Sequence, residues 1–414
     1  MHWSTISFAK LHELAEEHST PYFLYDADAV NDRIIRVREV LKGSAQVYYA
    51  VKANPNLGLL RAVRDTADGL DISSAGELEQ AVMAGFDPAV MSFAGPAKTF
   101  AELDAAIRAG VGAISIESMR ELNDCIRCAQ RIGQRANILL RVNPLLLNRA
   151  YGLKMGGRPV QFGIDEEDLP IAEQVVLANQ ASLNFCGIHV YAGSQCFESA
   201  GVVEGTSNAL RIARELEART GLSCSKINLG GGFGVSHADQ DRELDIETLA
   251  VELAPVLQEF HASHSTKCQL VFELGRFLTA AAGLYVTRVI SSKLSRGKLF
   301  FACDGGLHHH LAAAGTFGTA LRANFPLRNL THPDAPLVRC QIAGPSCNPT
   351  DLLGLEIDVA RPQEGDLLGV LKSGSYGLTA SPLLFLGRPT PAELVRHKGV
   401  IAIGRQARRA TEFN

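Results

Sequence analysis

The sequence predicts a (β/α)8 barrel joined to a second domain made of β-strands. Eight short, apolar, β-favouring runs alternate with segments of helical periodicity, and the alternation stops near residue 278. Alternating strands and helices indicate a parallel sheet, and eight repeats within roughly 230 residues are typical of a closed barrel. The main structural alternative, an open doubly wound sheet, would carry a glycine-rich turn after its first strand, where this chain has Lys52-Ala-Asn-Pro-Asn56.

The predicted elements follow one another in a regular order. A helix over residues 8–17 and a strand over 21–25 precede a helix with Val30, Ile34, Val37 and Leu41 on one face. The eight barrel strands are predicted at 46–51, 69–73, 90–94, 113–117, 137–142, 186–191, 226–229 and 269–273. Helices between them are predicted at 75–84, 100–109, 118–132, 167–178, 203–219 and 246–262, and later strands at 283–289, 298–303, 337–342 and 366–372. We therefore expect a barrel of residues 27–278 and a β domain formed by residues 1–26 and 279–414.

The composition excludes several classes of function. The net charge of -4 and the pI near 6.3, without a polybasic run, give no indication of a nucleic-acid partner. No run of about 18 apolar residues could span a membrane, and the first residues lack the pattern of a signal peptide. Nine cysteines, an odd number, favour reduced thiols over a disulfide framework. We expect a cytoplasmic enzyme with neither a nucleic-acid nor a membrane partner.

Reactive side chains collect near the carboxyl ends of the predicted barrel strands, where barrels of this type carry their active sites. In chain order these residues are Lys52, Asp71, His189, the glycine run 230–234, Glu273 and Arg276. Each has an ordinary structural explanation, because lone lysines are usually on the surface and a buried histidine is usually structural. A glycine run is usually a turn, and a Glu–Arg pair three residues apart is often an ion pair. Their joint position at one end of the barrel favours a functional site.

One cofactor needs this whole set of groups. Pyridoxal phosphate requires a lysine for its aldehyde, backbone N–H donors for its phosphate and an acid that keeps its pyridine nitrogen protonated. Glycines let the backbone approach the phosphate closely, and an arginine adds charge-assisted hydrogen bonds. An aromatic or imidazole ring can stack on the face of the cofactor. The residues therefore predict pyridoxal 5'-phosphate as the cofactor.

Eight short motifs between Pro21 and Leu384 are specific in combination. They are Tyr-Ala-Val-Lys-Ala-Asn, Asp-x-x-Ser-x-x-Glu, Phe-Gly-Ile, Gly-x-His-x-x-x-Gly-Ser, Gly-Gly-Gly-Phe, Glu-x-Gly-Arg, Gly-Pro-x-Cys and Gly-x-Tyr-Gly. With these motifs the chain resembles the fold-type III pyridoxal-phosphate-dependent decarboxylases, the family of the ornithine/arginine and diaminopimelate decarboxylases. The resemblance implies an alanine-racemase-like (β/α)8 barrel and a C-terminal all-β domain of sandwich or barrel type.

The resemblance also implies which residues contact the cofactor. Lys52 would bind the aldehyde covalently, Glu273 would face the pyridine nitrogen, and His189 would stack on the ring. Asp71 would also contact the cofactor. The groups that hold the phosphate would be Ser194, Gly231, Gly232, Arg276 and Tyr376.

A cysteine late in the chain matches the family's proton donor. Cys347 would return a proton to the substrate after carbon dioxide leaves, so that Lys52, His189 and Cys347 would be the catalytic residues. In the family this segment enters the active site of the partner subunit. The resemblance therefore implies a homodimer with two shared active sites and a small amino-acid substrate.

Two departures from the family pattern bear on the substrate. The residue after the proton-donating cysteine is Asn348, where the ornithine-type enzymes have an aspartate and the diaminopimelate decarboxylases a glutamate. The family's Asp-Gly segment is followed here by the run His308–His310. We expect Asn348, Asp351 and His309 to contact the substrate. We expect no metal site, because three consecutive histidines of a regular element cannot all face one ion.

The histidine-rich segment resembles that of a subgroup found in siderophore, antibiotic and exopolysaccharide gene clusters. Those enzymes decarboxylate amino acids whose side chain is already joined to a larger group, such as citrate or a carrier-protein thioester. The uncharged Asn348 suits such a conjugate, which is therefore the predicted substrate. Three alternatives stay open: a decarboxylase of free diaminopimelate, lysine or ornithine, an inactive regulatory homologue, and a racemase, against which Cys347 argues because a racemase would use a tyrosine there.

Overall fold

The computed structural model describes residues 6–146, 148–236, 243–264, 268–315 and 323–414. The strands of these ranges are β1 (Tyr22–Asp26), β2 (Gln46–Ala50), β3 (Gly69–Ile72), β4 (Met91–Phe93), β5 (Ala113–Ile116), β6 (Ala136–Asn143), β7 (Tyr151–Lys154), β8 (Ile164–Asp165), β9 (Leu183–Val190), β10 (Gly193–Cys196), β11 (Lys226–Gly231), β12 (Gln269–Leu274), β13 (Gly283–Ser295), β14 (Lys298–Cys303), β15 (Leu327–Asn329), β16 (Leu337–Ala343), β17 (Leu352–Ala360), β18 (Leu367–Leu371), β19 (Ala392–His397) and β20 (Val400–Arg405). The α-helices are α1 (Phe8–His18), α2 (Ala27–Leu41), α3 (Leu57–Val63), α4 (Ala75–Met83), α5 (Phe100–Ala109), α6 (Met119–Ile132), α7 (Leu169–Ala178), α8 (Ser199–Thr220), α9 (Ile246–Ser263) and α10 (Arg276–Thr279).

Eight parallel strands close into a barrel, which confirms the predicted fold. They pair in the order β2, β3, β4, β5, β6, β9, β11 and β12, and β12 then pairs with β2. A complete barrel of this type would have a helix after its eighth strand, β12. Here β12 is followed by the α-helix α10, which has only four residues. The place of such a helix in the outer ring is taken by α2, which precedes the barrel and packs between α3 and α9.

Six of the helices around the barrel begin at a polar N-cap residue. Each side chain accepts a hydrogen bond from a backbone N–H of the first helical turn, a group that would otherwise have no partner there. These N-cap residues are Asp26 for α2, Asn56 for α3, Ser74 for α4, Thr99 for α5, Ser118 for α6 and Asp245 for α9. After β3 and β5 the cap lies two residues beyond the strand end, so these connections at the carboxyl end of the barrel are short.

The second sheet is built from both ends of the chain. Its strands follow the order β17, β16, β14, β13, β1, β19 and β20, with β18 and β15 attached through β13. The early strand β1 lies in the middle, antiparallel to β13 and parallel to β19. All four later strands that the sequence predicts are present, whereas β15, β17, β19 and β20 were not predicted.

The division of the chain into a barrel of residues 27–278 and a β domain of residues 1–26 and 279–414 stays a prediction. Among the described residues no helix is long and apolar enough to cross a bilayer.

A buried carboxylate, Glu393, joins the barrel to the second sheet. It accepts hydrogen bonds from the Tyr25 hydroxyl at 2.7 Å, the Asn56 amide at 3.0 Å and the Arg405 guanidinium at 2.6 Å. Asn56 is itself fully buried and caps α3, the helix that follows Lys52. Asn56 therefore both caps a barrel helix and donates a hydrogen bond to Glu393 of the β domain.

Replacing Asn56 by alanine is expected to lower the melting temperature more than replacing the exposed cap Asp245. Loss of a cap alone costs about 1 kcal/mol, and loss of a buried hydrogen bond adds about 1–3 kcal/mol. Thermal unfolding of the Asn56→Ala and Asp245→Ala variants, followed by circular dichroism, measures the difference. Equal shifts of Tm would contradict the role of Asn56 between the two parts of the chain.

Candidate active site

Lys52 lies at the mouth of the barrel in a turn that the β domain holds in place. The turn is 3-10 helical and follows β2 directly. The backbone N–H of Tyr376 donates to the Ala53 carbonyl at 2.8 Å. The Asn54 amide donates to the Gly374 carbonyl at 3.0 Å. These two bonds fix the backbone from which the Lys52 side chain projects.

Two carboxylates control the charge of Lys52. Its Nζ lies 2.7 Å from Oδ2 of Asp71, which is fully buried in β3. Burial opposes the positive charge, but Asp71 and Glu273 outweigh it, so the pKa of the Lys52 amine lies well above its usual value. Burial and the neighbouring Glu273 raise the pKa of Asp71 to about 6. The proton between Lys52 and Asp71 therefore resides on the lysine at neutral pH.

Glu273 is a buried carboxylate that its neighbours keep ionised. Its Oε2 accepts a hydrogen bond from the Asn228 amide at 2.9 Å, and its Oε1 lies 3.4 Å from Nε2 of His189. Burial raises the pKa of Glu273, but His189, Lys52 and Arg141 more than offset this and hold the pKa below its usual value. An ionised acid in this position can keep a pyridine nitrogen protonated. The sequence did not single out Asn228, which lies on the strand next to that of Glu273.

The structure places His189 against Glu273 rather than in the wall of the cavity at Lys52. The ring is fully buried, and its Nδ1 lies 2.9 Å from the Ser115 hydroxyl. Tyr191, two residues further along and just beyond the end of β9, lines the cavity instead. Contact between His189 and the cofactor ring stays a prediction. Tyr191 is a second ring that the sequence analysis did not single out, although an aromatic residue just past a barrel strand end was an available signal.

The glycine run provides backbone where side chains would not fit. A Cβ added to Gly232 would lie 1.9 Å from the Gly193 carbonyl oxygen, and one added to Gly231 would lie 2.0 Å from that of Glu273. Gly232 also has a φ of +77°, which favours glycine. Gly232 and Ser194 both border the cavity. Glycine is therefore needed for the close packing of these backbone segments, and it leaves the Gly232 backbone at the edge of the cavity, where a phosphate can approach it.

Arg276 and Tyr376 close the cavity from the two parts of the chain. Arg276 begins α10 directly after β12, and its guanidinium lies 4.7 Å from the centroid of the Tyr376 ring. Burial lowers the pKa of Arg276. Tyr376 has a left-handed φ of +52°, a strained conformation for tyrosine. The backbone bond to Ala53 helps to maintain this conformation.

These side chains enclose one small cavity whose groups fit pyridoxal phosphate. The polar residues that line it are Lys52, Tyr191, Ser194, Gly232, Glu273, Arg276 and Tyr376. They supply an amine, an ionised acid, a ring, a cation and unobstructed backbone. The family model of the pyridoxal-dependent decarboxylases, for their pyridoxal-binding domain, matches residues 27–280. The chain belongs to this family.

Relatives of this decarboxylase match almost its whole length. The L-glutamyl-(BtrI acyl-carrier protein) decarboxylase of Niallia circulans is 37% identical over 396 residues, which cover 94% of this chain and 92% of that protein. The diaminopimelate decarboxylase of Zymomonas mobilis is 30% identical over 391 residues, 93% and 89% of the two chains. The crystal structure of Helicobacter pylori diaminopimelate decarboxylase in complex with L-lysine superimposes with a TM-score of 0.86 at 26% identity, covering 97% of this chain and 98% of the other. The protein is thus a carboxy-lyase whose cofactor is pyridoxal phosphate.

Cys347 is exposed in a loop of the β domain and does not line the cavity of its own chain. Asp351 braces this loop, because its buried carboxylate accepts from the backbone N–H of Leu307 at 2.7 Å and of Ser346 at 3.0 Å. The side-chain oxygen of Asn348 accepts from the backbone and the hydroxyl of the residue two positions on, both at 3.0 Å. Asp351, which we expected at the substrate, is therefore engaged in holding the decarboxylase's cysteine loop.

His309, also expected at the substrate, lies in the core of the β domain. Its Nε2 is 2.9 Å from the Pro389 carbonyl oxygen and its Nδ1 is 3.3 Å from the Tyr285 hydroxyl. Burial lowers the pKa of His309 to about 3, so the ring is neutral. In the described part of the decarboxylase no three His, Cys, Asp or Glu side chains could hold a metal ion together.

Cys125 and Cys128 have the Cys-x-x-Cys spacing of redox and metal sites. Both thiols are buried on α6. Burial raises the pKa of Cys125 to about 12, so its thiol stays protonated and unreactive. The pair is part of the barrel's packing and not of the active site.

Replacing Asp71 by asparagine is expected to move cofactor loading to lower pH. Only the unprotonated Lys52 amine can attack an aldehyde, and the Asp71 carboxylate raises the pKa of that amine. With a neutral amide in place of the carboxylate the amine loses its proton at lower pH, so the midpoint of the pH profile falls. The rate at which apoenzyme gains the visible absorbance of bound cofactor, measured across pH, gives this midpoint. Asp87→Asn, at an exposed residue at the opposite end of the barrel, is the control, and an unchanged midpoint for Asp71→Asn would contradict the pairing.

Proposed function

We propose that this decarboxylase acts on an amino acid whose side-chain end is joined to a larger group, most simply through a carrier-protein thioester. The proposal rests on the charge and the hydrogen bonds of the three residues that we expect to contact the substrate. Asn348 is uncharged, His309 is neutral, and both carboxylate oxygens of Asp351 accept from backbone N–H groups. None of the three offers a charge to a second ammonium or carboxylate.

Free ornithine, lysine and diaminopimelate all carry charge at the far end of the side chain. Removing such a charge from water without an opposite partner is expensive, so a site for these substrates needs a dedicated charged group. An amide or thioester at the same position needs only space and hydrogen bonds. The 37% identity to a decarboxylase whose name specifies a glutamyl group on an acyl-carrier protein supports the same substrate class.

The chain's own residues can be assigned roles around the cofactor. When bound, pyridoxal phosphate withdraws the electron pair that carbon dioxide leaves behind. Glu273, oriented by Asn228 and His189, keeps a proton on the pyridine nitrogen. Tyr191 lies where a ring can face the cofactor.

A second group of residues binds the phosphate and the aldehyde. Ser194, the Gly232 backbone and Arg276 surround the space for the phosphate. Lys52 would hold the aldehyde of the bound cofactor. The apolar walls around these polar groups exclude water, which strengthens every electrostatic contact in the site.

The exposed position of Cys347 supports a shared active site. The thiol is held outward by a braced loop and lies apart from the cavity at Lys52 in the same chain. A second copy of the chain would present its Cys347 to this cavity, as the family resemblance implies. We therefore propose a homodimer in which each site takes Lys52 from one subunit and Cys347 from the other. The cytoplasm stays the expected location.

The substrate class can be tested by carbon dioxide release. We expect kcat/KM for a glutamyl thioester on a carrier protein to exceed that for free glutamate, lysine, ornithine or diaminopimelate by about 100-fold or more, because the free amino acids leave charges unpaired. Radiolabelled carboxyl groups make the release quantitative for every compound. Robust turnover of a free diamino acid would overturn the proposal in favour of the free amino-acid decarboxylases.

Shared sites can be tested with two inactive variants. Lys52→Ala and Cys347→Ala subunits, each with a different affinity tag, are coexpressed and purified through both tags. The mixed dimer is expected to regain about half of the wild-type activity, because one of its two sites has both residues intact. Each variant alone is the matched control. A mixed dimer as inactive as its parents would show that Cys347 serves its own chain or none.

A further inference from the structure

The loop after β6 carries a group of three cations. Residues 143–163 contain Arg149, Lys154 and Arg158 but no aspartate or glutamate. Arg149 and Arg158 are exposed, and Lys154 is half-buried. In the part of the chain that the structure describes, none of the three forms an ion pair, and Arg158 donates only to the Lys154 carbonyl at 3.0 Å. Exposed arginines on α5, α6 and α8, in contrast, pair with neighbouring carboxylates.

This loop lies along the segment that lines the active-site cavity. Its strand β7 pairs with β10 so that Lys154 lies opposite Gly193 and Leu153 opposite Ser194. Directly opposed residues of antiparallel strands have Cα atoms about 5 Å apart. The Met155 N–H also donates to the Ala192 carbonyl at 3.0 Å. Because Ser194 borders the cavity, the cationic loop runs directly beside the segment that forms the cavity's edge.

The acidic residues that follow the loop have other partners or positions. Asp165 accepts from the Asn143 amide at 2.6 Å, and Glu166 pairs with Arg211 at 2.7 Å. The next two acids lie in the turn before α7, where the helix N-terminus favours negative charge. Glu204 on α8 lies near Tyr151 of the loop, but in the described part of the chain no carboxylate forms an ion pair with any of the three cations. They remain available to an anion that arrives with the substrate.

We propose that Arg149, Lys154 and Arg158 bind the phosphate of a phosphopantetheinyl thioester whose amino-acid end reaches Lys52. The inference rests on the proposed function and adds a second recognition point outside the reacting centre. Arginine binds phosphate through paired N–H donors, and lysine adds a point charge. A carrier protein and coenzyme A both present this group, so the phosphate is the shared chemistry.

Three probes with the same glutamyl thioester test the proposal on the holoenzyme: pantetheine, which has no phosphate, coenzyme A and a carrier protein. In the variant with Arg149→Gln, Lys154→Gln and Arg158→Gln, kcat/KM is expected to fall roughly tenfold or more for the coenzyme A and carrier probes, the sum of several exposed ion pairs. For the pantetheine probe it is expected to stay at the wild-type value. Unchanged cofactor absorbance verifies that the variant folds, and Arg61→Gln, at an exposed arginine on α3, is the matched control.

The outcomes separate this inference from the proposed function. An equal change for all three probes, or no change for any, would overturn the phosphate contact while leaving thioester turnover in place. A loss for the carrier probe alone would also overturn it, since the cations would then contact the carrier's surface. If wild-type enzyme turns over none of the thioesters, the proposed function fails and this inference fails with it.

Discussion

The buried negative charge of Glu273 is the interaction on which the rest of the active site depends. A carboxylate removed from water costs several kcal/mol unless hydrogen bonds and opposite charges compensate for it. Here Asn228 donates a hydrogen bond to one oxygen, His189 Nε2 lies 3.4 Å from the other, and Lys52 adds a positive charge. Asn228 and His189 lie on the neighbouring strands β11 and β9, and Lys52 follows β2, which pairs with β12 where the barrel closes. Closure of the barrel therefore adds the positive charge of Lys52 to the groups that stabilise the acid.

The position of Lys52 depends equally on the β domain. Tyr376 and Gly374 hold the turn directly after Lys52, at Ala53 and at the Asn54 side chain, and Tyr376 also covers Arg276. The barrel alone would thus lack one wall of its cavity. On the proposed dimer, the same domain would supply Cys347 to a second barrel. One domain would then support its own site and complete its partner's.

The sequence predicted the barrel and the cofactor residues best where one physical signal sufficed. Buried parallel strands are continuous apolar runs, and a lysine at the end of one marks the barrel mouth. Strand β20 was missed because an exposed edge strand lacks a continuous buried pattern. The places of His189 and Tyr191 could not be separated, since both lie in the same motif and only the packing decides which ring faces the cavity. The hydrogen bonds of Asp351 and His309 to distant backbone groups, at Leu307 and Pro389, could not be predicted because such bonds leave no trace in the sequence. Contact of these two residues with the substrate stays a prediction.

Removing the charge of Glu273 is the most direct test of how this active site works. In a Glu273→Gln holoenzyme the shape of the site is retained, but no carboxylate keeps the pyridine nitrogen protonated. The measurement is carbon dioxide release at saturating substrate, together with cofactor content and visible absorbance. We predict that the cofactor stays bound to Lys52 while kcat falls by about 100-fold or more, as expected for loss of a group that controls a proton in the reaction. An unchanged kcat with bound cofactor would contradict the central claim that the ionised Glu273 organises this site.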